Sequence, residues 1–541
     1  MPQGRRKTPF SGKKKRQQLQ DKRERKNEDF DHEERKSKSE YKLVTDESLA
    51  STSTSSENGP KLFTNTIDPQ RFSSKSSNTD RYRLQFVKQS KEELDRMKKD
   101  AYRLLAPAHE DDTEIEIDSV FLPGSSLDIP KRPSWDFSFS KEQLEAREHR
   151  YFTEYLMNIE KNFNLDDLSY FETNLETWRQ LWRVLEMSDI LLIIVDVRFP
   201  SLLFSPAIYN HVTKELNREV ILVLNKIDLV PPSVVVAWQH YFKKHYPQLY
   251  IISFTSFPGT DTDVVAQDQK VQRSRRRKNW RMAAQATMRL LKICQNIVKT
   301  NEEEMHETDT EAAEVPIKAK ESDEQEAQYE RYRNGTLTIG CLGFPNVGKS
   351  SLINGIMGKK VVSVSRTPGH TKHFQTIFIT PTVRLCDCPG LVFPSKVPKP
   401  LQVLNGSFPI AQVREPYSAI RFLAERIPMN CLLHIEHPNK EKNWTPYDIC
   451  DGWAIKRGFF TSKGARRDVH RAGNNLLRMA LEGRIRFCLK PPGYLHDKSE
   501  KYNFIYADVV EIKQILESGQ EMCEENEDEL FTTVSSETES E

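Results

Sequence analysis

No apolar stretch in this 541-residue chain approaches the ~20 residues that a membrane-crossing helix needs. The N-terminus also lacks the apolar core of a signal peptide. Together these absences predict an intracellular, soluble protein with no membrane partner. The eight cysteines are scattered and include no Cys-x-x-Cys pair, so neither a disulfide framework nor a zinc ribbon is read from them. Only Cys386 and Cys388 are near neighbours, on one face of an expected strand that turns Asp387 to the other. Buried thiols in a reducing compartment are preferred there over a metal site. Net charge is nearly absent too, at +2, and by itself excludes little.

Apolar residues are in short supply, at 37% against 29% charged, with a mean hydropathy of −0.66. A chain this polar is expected to carry unfolded segments beside its folded centre. At this length it also exceeds one ordinary core. Residues 1–26 hold eleven Lys or Arg, in the clusters Arg5-Arg6-Lys7, Lys13–Arg16 and Lys22–Lys26. Such a segment contacts nucleic-acid phosphates, is read by the nuclear import machinery, or is a solvated tail. The expected organisation is a disordered N-terminal tail over 1–80, basic and then Ser-rich, and a helical extension over 81–165. A nucleotide-binding domain follows over 166–392, interrupted by a polar insertion near 258–330. A mainly helical domain over 393–505 precedes an acidic tail over 506–541, and the Ser/Thr-rich tails are candidates for phosphorylation.

What the chain does have is strand–helix alternation. The run Ile190–Asp196 is continuously apolar, as in strands buried on both faces. Strands follow at 219–225, 249–254, 336–342, 374–380 and 383–387, with helices near 205–216, 232–243, 281–299 and 349–357. That pattern predicts an α/β fold with a mixed, mostly parallel sheet. Helical spacing is also read over 91–105, 141–165 and 168–187, and basic helices between Arg466 and Arg486.

Gly343-Phe344-Pro345-Asn346-Val347-Gly348-Lys349-Ser350, followed by Ser351, matches the phosphate-binding pattern G-x-x-x-x-G-K-[ST] between a strand and a helix. A random match is expected only ~0.01 times in a chain of this length. Backbone N–H groups curl around the anion there, and the helix N-terminus adds partial positive charge. Lys349 is expected to reach the β- and γ-phosphates, and Ser350 to ligate Mg2+. Asn225-Lys226-Ile227-Asp228 fits N-K-x-D at the end of a strand. Asp228 can accept hydrogen bonds from the N1–H and 2-amino groups of guanine, a pair that adenine cannot offer, so it argues against an ATPase. Lys226 would pack over the base, and Asn225 would tie this loop to the phosphate loop. Thr255-Ser256 lies where a loop backing the base would be. Asp387-Cys-Pro-Gly390 fits D-x-x-G, with Asp387 toward Mg2+ and the Gly390 amide toward the γ-phosphate. Between them, Thr371 is preferred over Thr367 as the switch threonine, because it follows the flexible Gly369.

The base-reading motifs thus precede the phosphate loop, and D-x-x-G comes last. This cyclic order resembles the circularly permuted GTPases that include bacterial and eukaryotic ribosome-assembly factors. Val195-Asp-Val-Arg198-Phe-Pro200 looks like their D-A-R-x-P signature, with valine for alanine. The resemblance implies a P-loop GTPase of low intrinsic activity, bound to GTP or GDP with Mg2+. It implies a nuclear or nucleolar location, with shuttling to the cytoplasm, and ribosomal RNA or pre-ribosomal particles as partners. It makes Lys349, Thr371 and Asn346 the candidate catalytic residues. Asn346 is a candidate ligand for K+, and Leu391 replaces the glutamine that orients water in other GTPases. A helical domain after D-x-x-G would anchor the switch, which would otherwise be a free chain end. A GTP-binding scaffold with negligible hydrolysis is the alternative.

Overall fold

The computed structural model describes residues 84–87, 89–255, 287–298, 335–365, 367–461, 466–501 and 508–514, all in one compact unit that begins at Asp68. The N-terminal basic clusters, Ser256, most of the 258–330 insertion and the acidic tail beyond 514 lie outside them.

Six strands form one mixed sheet in the order β3-β2-β1-β4-β6-β5. They are β1 (Ile190–Asp196), β2 (Glu219–Asn225), β3 (Tyr250–Phe254), β4 (Leu337–Leu342), β5 (Gln375–Thr380) and β6 (Val383–Asp387). All pairings are parallel except β5 with β6 at the edge. Every residue of β1 is buried, because β2 and β4 flank it and helices cover both faces. From β1 the chain steps outward through β2 to β3. It then returns to β4 on the other side of β1 and continues to β6. The direction reverses between β1 and β4, and the crevice beyond such a switch point is where α/β sheets bind ligands.

The helices that position the site are α1 (Lys91–Asp100), α2 (Lys141–Asn162), α3 (Leu175–Met187), α4 (Pro232–His245), α5 (Lys349–Met357), α6 (Lys399–Asn405), α7 (Tyr417–Ala424), α8 (Pro446–Arg457) and α9 (Val469–Leu481). In α3, Trp178, Leu181, Trp182 and Leu185 recur every three or four residues and all are buried. Each indole still finds an acceptor, Trp178 at the Glu172 carbonyl (3.0 Å) and Trp182 at the Pro130 carbonyl (2.8 Å).

Two sequence expectations need correction. Helical spacing was read from Leu168, yet α3 starts at Leu175, where the Asn174 side chain accepts from the Glu176 amide. Residues 168–174 instead run beside the segment after β6: Ser169 N–H donates to the Ser395 carbonyl (2.9 Å) and Glu172 N–H to the Val392 carbonyl (3.0 Å). Long-range backbone partners override local periodicity here. Among the basic residues from Arg466 to Arg486 there is one helix, α9, capped by Asp468 and stopped before Gly483, which takes φ 75°. Its buried face (Ala472, Leu476, Leu477, Met479, Ala480) packs on α8, α7 and α6.

Candidate functional site

The phosphate-binding pattern forms the turn from β4 into α5. Gly348 precedes the helix with φ 102°, and its missing Cβ leaves room for the Asn225 amide. Lys349 is buried, and its Nζ donates to the loop's own carbonyls, Gly343 at 2.9 Å and Phe344 at 2.7 Å. Burial depresses its pKa, and the nearby Asp387 charge opposes that shift. Asp387 ends β6 directly beside Cys341 of β4. Its Oδ2 accepts from Ser350 Oγ at 2.9 Å. Its Oδ1 is buried and accepts no hydrogen bond among the described residues. Burial raises this carboxyl's pKa, with Lys349 and Ser350 pulling it down. An orphaned carboxylate oxygen next to a hydroxyl is the hard-oxygen donor set that Mg2+ takes. The residues present therefore fit the metal. Cys386 and Cys388, on either side, are both buried.

The N-K-x-D loop meets the phosphate loop through two bonds. Asn225 Nδ2 donates to the Val347 carbonyl (2.7 Å), and Lys226 Nζ donates to the Asn346 carbonyl (2.7 Å). Lys226 also bonds Asp196 Oδ2 at 2.7 Å, which the register Asp196↔Asn225 makes possible. Asp228 lies buried in the next turn, where its Oδ1 accepts from Thr255 Oγ1 at 2.6 Å. Thr255 thus backs the aspartate, and Ser256 lies outside the described residues.

A cleft of about 440 Å³ opens over these loops. Asn225, Lys226, Asn346, Lys349, Ser350 and Gly390 border it, as do both threonine candidates, Thr367 and Thr371. Gly390 packs so closely that a Cβ would sit 2.7 Å from the Pro345 Cα. Leu391 turns away into the core, with 1% exposure. Asp228 and Thr255 do not border the cleft.

The sequence motifs missed two contributors. Asp196 and Arg198 were read only as a signature, but the structure makes them a junction. Arg198 bonds both Asp196 oxygens (3.1 and 2.8 Å) and reaches the Ala480 carbonyl of α9 at 2.9 Å. Burial would raise the Asp196 pKa, yet Arg198 and Lys226 hold it well below the usual carboxylate range. The second contributor is a wall of the cleft from the C-terminal helices, including Phe408, Ile410 and Arg478. No motif marks it.

Guanine nucleotide-binding protein-like 1 from Macaca fascicularis is 45% identical over 539 residues, spanning 91% of this chain and 86% of that protein. The chain belongs to the guanine nucleotide-binding protein-like 1 family. It carries a P-loop GTPase domain with permuted motif order, and its mixed, mostly parallel sheet is consistent with that fold. The family pattern described as 50S ribosome-binding GTPase matches residues 338–442, from β4 into the C-terminal helices. Large subunit GTPase 1 homolog from Mus musculus is 32% identical over 439 residues, 68% of this chain and 66% of that one. The crystal structure of GNP-bound YlqF from T. maritima aligns with 59% of this chain and 98% of its own, at 18% identity and a TM-score of 0.35.

Proposed function

We propose that the chain is a GTP-binding, slowly hydrolysing switch that acts in ribosome assembly in the nucleus or nucleolus and shuttles with the cytoplasm. The observation that carries the nucleotide assignment is the convergence of Lys349, Ser350, Asn225 and Lys226 on one cleft, with Asp387 beneath it. GTP and GDP would lie along it, with the base directed to Asp228 and backed by Thr255. Ser350, Thr371 and Asp387 would hold Mg2+, which offsets phosphate charge when bound. Lys349 already has its ammonium at the mouth of the loop and exchanges carbonyls for phosphate oxygens. Asn346 remains the candidate K+ ligand; its Nδ2 here donates to the Gly406 carbonyl at 3.0 Å.

Slow turnover is supported by Leu391, which is buried and has no group to orient water. The same observation favours the second reading, a GTP-dependent scaffold. Ribosomal particles are proposed from the similarity to ribosome-binding and large-subunit GTPases and from the basic N-terminal clusters, which would also serve nuclear import.

Nucleotide binding is tested by equilibrium titration with GTP and ATP. GTP should win, and Asp228→Asn should cut guanine affinity by about two orders of magnitude. Equal affinity for both nucleotides would sink the assignment. The ribosomal role is tested by co-sedimentation with pre-ribosomal particles in a non-hydrolysable GTP analogue or GDP. Association that follows the analogue and is lost in Lys349→Ala is expected. No association in any state would remove the ribosomal part.

A further inference from the structure

Arg478 borders the same cleft as Lys349, Thr371 and Gly390, although it belongs to α9 in the C-terminal region. Among the described residues its guanidinium makes no hydrogen bond, ion pair or ring contact. Its basic neighbours are occupied: Arg467 pairs with Asp451 at 3.1 Å, and Arg457 and Arg471 lie over Trp453 and Phe459. A lone exposed arginine is ordinarily a solvated surface charge. The placement of its helix argues otherwise.

The face of α9 that carries Arg478 is held against Gly406, which in turn meets the phosphate loop. Leu481, three residues on and therefore on the same side of the helix, packs at Gly406, where a Cβ would lie 3.0 Å from its Cδ2. The same Cβ position is 3.3 Å from the Asn346 Cβ, and Asn346 Nδ2 bonds the Gly406 carbonyl. Arg198 fixes the end of the helix through Ala480. Arg478 therefore stands one turn from Leu481, which packs on Gly406, the residue that Asn346 of the phosphate loop bonds. Arg478 shares this cleft with Asn346, Gly348, Lys349 and Ser350 of the phosphate loop, whereas Asp228 does not border it.

We infer that Arg478 contacts the polyphosphate of bound guanine nucleotide in cis, and that the C-terminal domain thereby favours the triphosphate. The inference rests on the guanine-nucleotide function proposed above. A planar guanidinium offers paired donors suited to phosphate oxygens. A triphosphate brings more negative charge to the cleft than a diphosphate, so the contact is worth more to GTP. Helix α9 then responds to the nucleotide state directly, not only through the segment after β6.

The test is binding of a non-hydrolysable GTP analogue and of GDP to the full chain, over a range of salt. The variants are Arg478→Ala, Arg478→Glu and Arg478→Lys. Alanine should weaken the analogue roughly tenfold, weaken GDP less, and flatten the salt dependence. Glutamate should weaken the analogue further, and lysine should restore part of the loss. Unchanged melting temperatures are expected, since the guanidinium has no hydrogen-bond or ion-pair partner among the described residues. If Arg478→Ala and Arg478→Glu bind both nucleotides like wild type while Lys349→Ala does not, the inference is overturned and the nucleotide function stands. If wild type binds no guanine nucleotide, both are overturned.

Discussion

Arg198 Nη1 donates to the Ala480 carbonyl at 2.9 Å, joining the end of β1 to the end of α9 across 282 residues of chain. The same guanidinium bonds Asp196, and Asp196 bonds Lys226 of the N-K-x-D loop. Lys226 therefore meets Arg198 at one buried carboxylate, and Arg198 carries the link on to α9. A change at α9 and a change at the N-K-x-D loop both reach the Asp196–Arg198 pair.

Arg198→Ala should be strongly destabilising. It leaves Asp196 fully buried with Lys226 as its single cation and frees the α9 carbonyls. Breaking a buried pair by removing one partner costs about 3–5 kcal/mol. Arg198→Lys should recover only part, because an ammonium lacks the planar fork that bonds both Asp196 oxygens while a further N–H reaches Ala480. Chemical denaturation of the two variants beside wild type measures this. A loss below about 1 kcal/mol for alanine would show that the junction is not structural.

Asn225→Ala should act on nucleotide more than on fold. Its Nδ2–Val347 bond holds the Gly343–Ser350 loop against the N-K-x-D loop. Losing one such buried bond costs about 1–2 kcal/mol, or roughly a 5–30-fold weaker guanine nucleotide affinity. Titration with labelled GDP reads the affinity, and a melting curve reads the fold. Full affinity in the variant would mean that the two loops are positioned without this bond.

Much of this was legible because the motifs are local. Strand, turn and helix around Gly343–Ser350 are contiguous, and the apolar run Ile190–Asp196 declares a strand buried on both faces. The junction at Asp196 and Arg198 was visible only as a signature, since its partner Ala480 offers nothing but a backbone carbonyl, which no residue type encodes. Arg478 was hidden for a related reason: a basic residue on an amphipathic helix looks the same whether it faces solvent or a cleft. Residues 168–174 misled for a third reason. Their apolar spacing suits a helix, but backbone partners at Val392 and Ser395 claim the segment.

Asp387→Asn should separate stability from binding. Asp387 Oδ1 is buried without a hydrogen bond among the described residues, a cost that the ligand-free protein bears for its site. Replacing the carboxylate with a neutral amide should leave the ligand-free protein as stable, or raise it by up to about 1–2 kcal/mol. The same change, like chelation of Mg2+ from wild type, should weaken GTP binding sharply. Melting without nucleotide and titration with and without chelator are the two measurements. Mg2+-independent binding in wild type would exclude Asp387 as a metal residue.

Glu172 gives the chain a pH dependence of definite sign. Its carboxyl is fully buried, with the Gln85 and Asn174 amides donating to Oε1 and no ion pair to it among the described residues. Burial pushes its pKa up to about 8, and the backbone amides only moderate the rise. An unfolded glutamate titrates near 4.5. Between those values the native state keeps a proton that the unfolded chain releases, so stability falls as pH rises through this window and levels off above about pH 8. At about 1.4 kcal/mol per unit the ceiling is about 5 kcal/mol, and structural relaxation lowers it. Glu172→Gln keeps the acceptor for both amides and removes the titration. Unfolding free energies at pH 6 and pH 8.5 should therefore differ less in the variant, with the variant ahead of wild type at the higher pH. Because the Glu172 amide also bonds Val392, wild type should lose amide-exchange protection at Glu172 on alkalinisation and the variant should keep it. Parallel pH profiles for the two proteins would mean that Glu172 stays ionised in the folded chain.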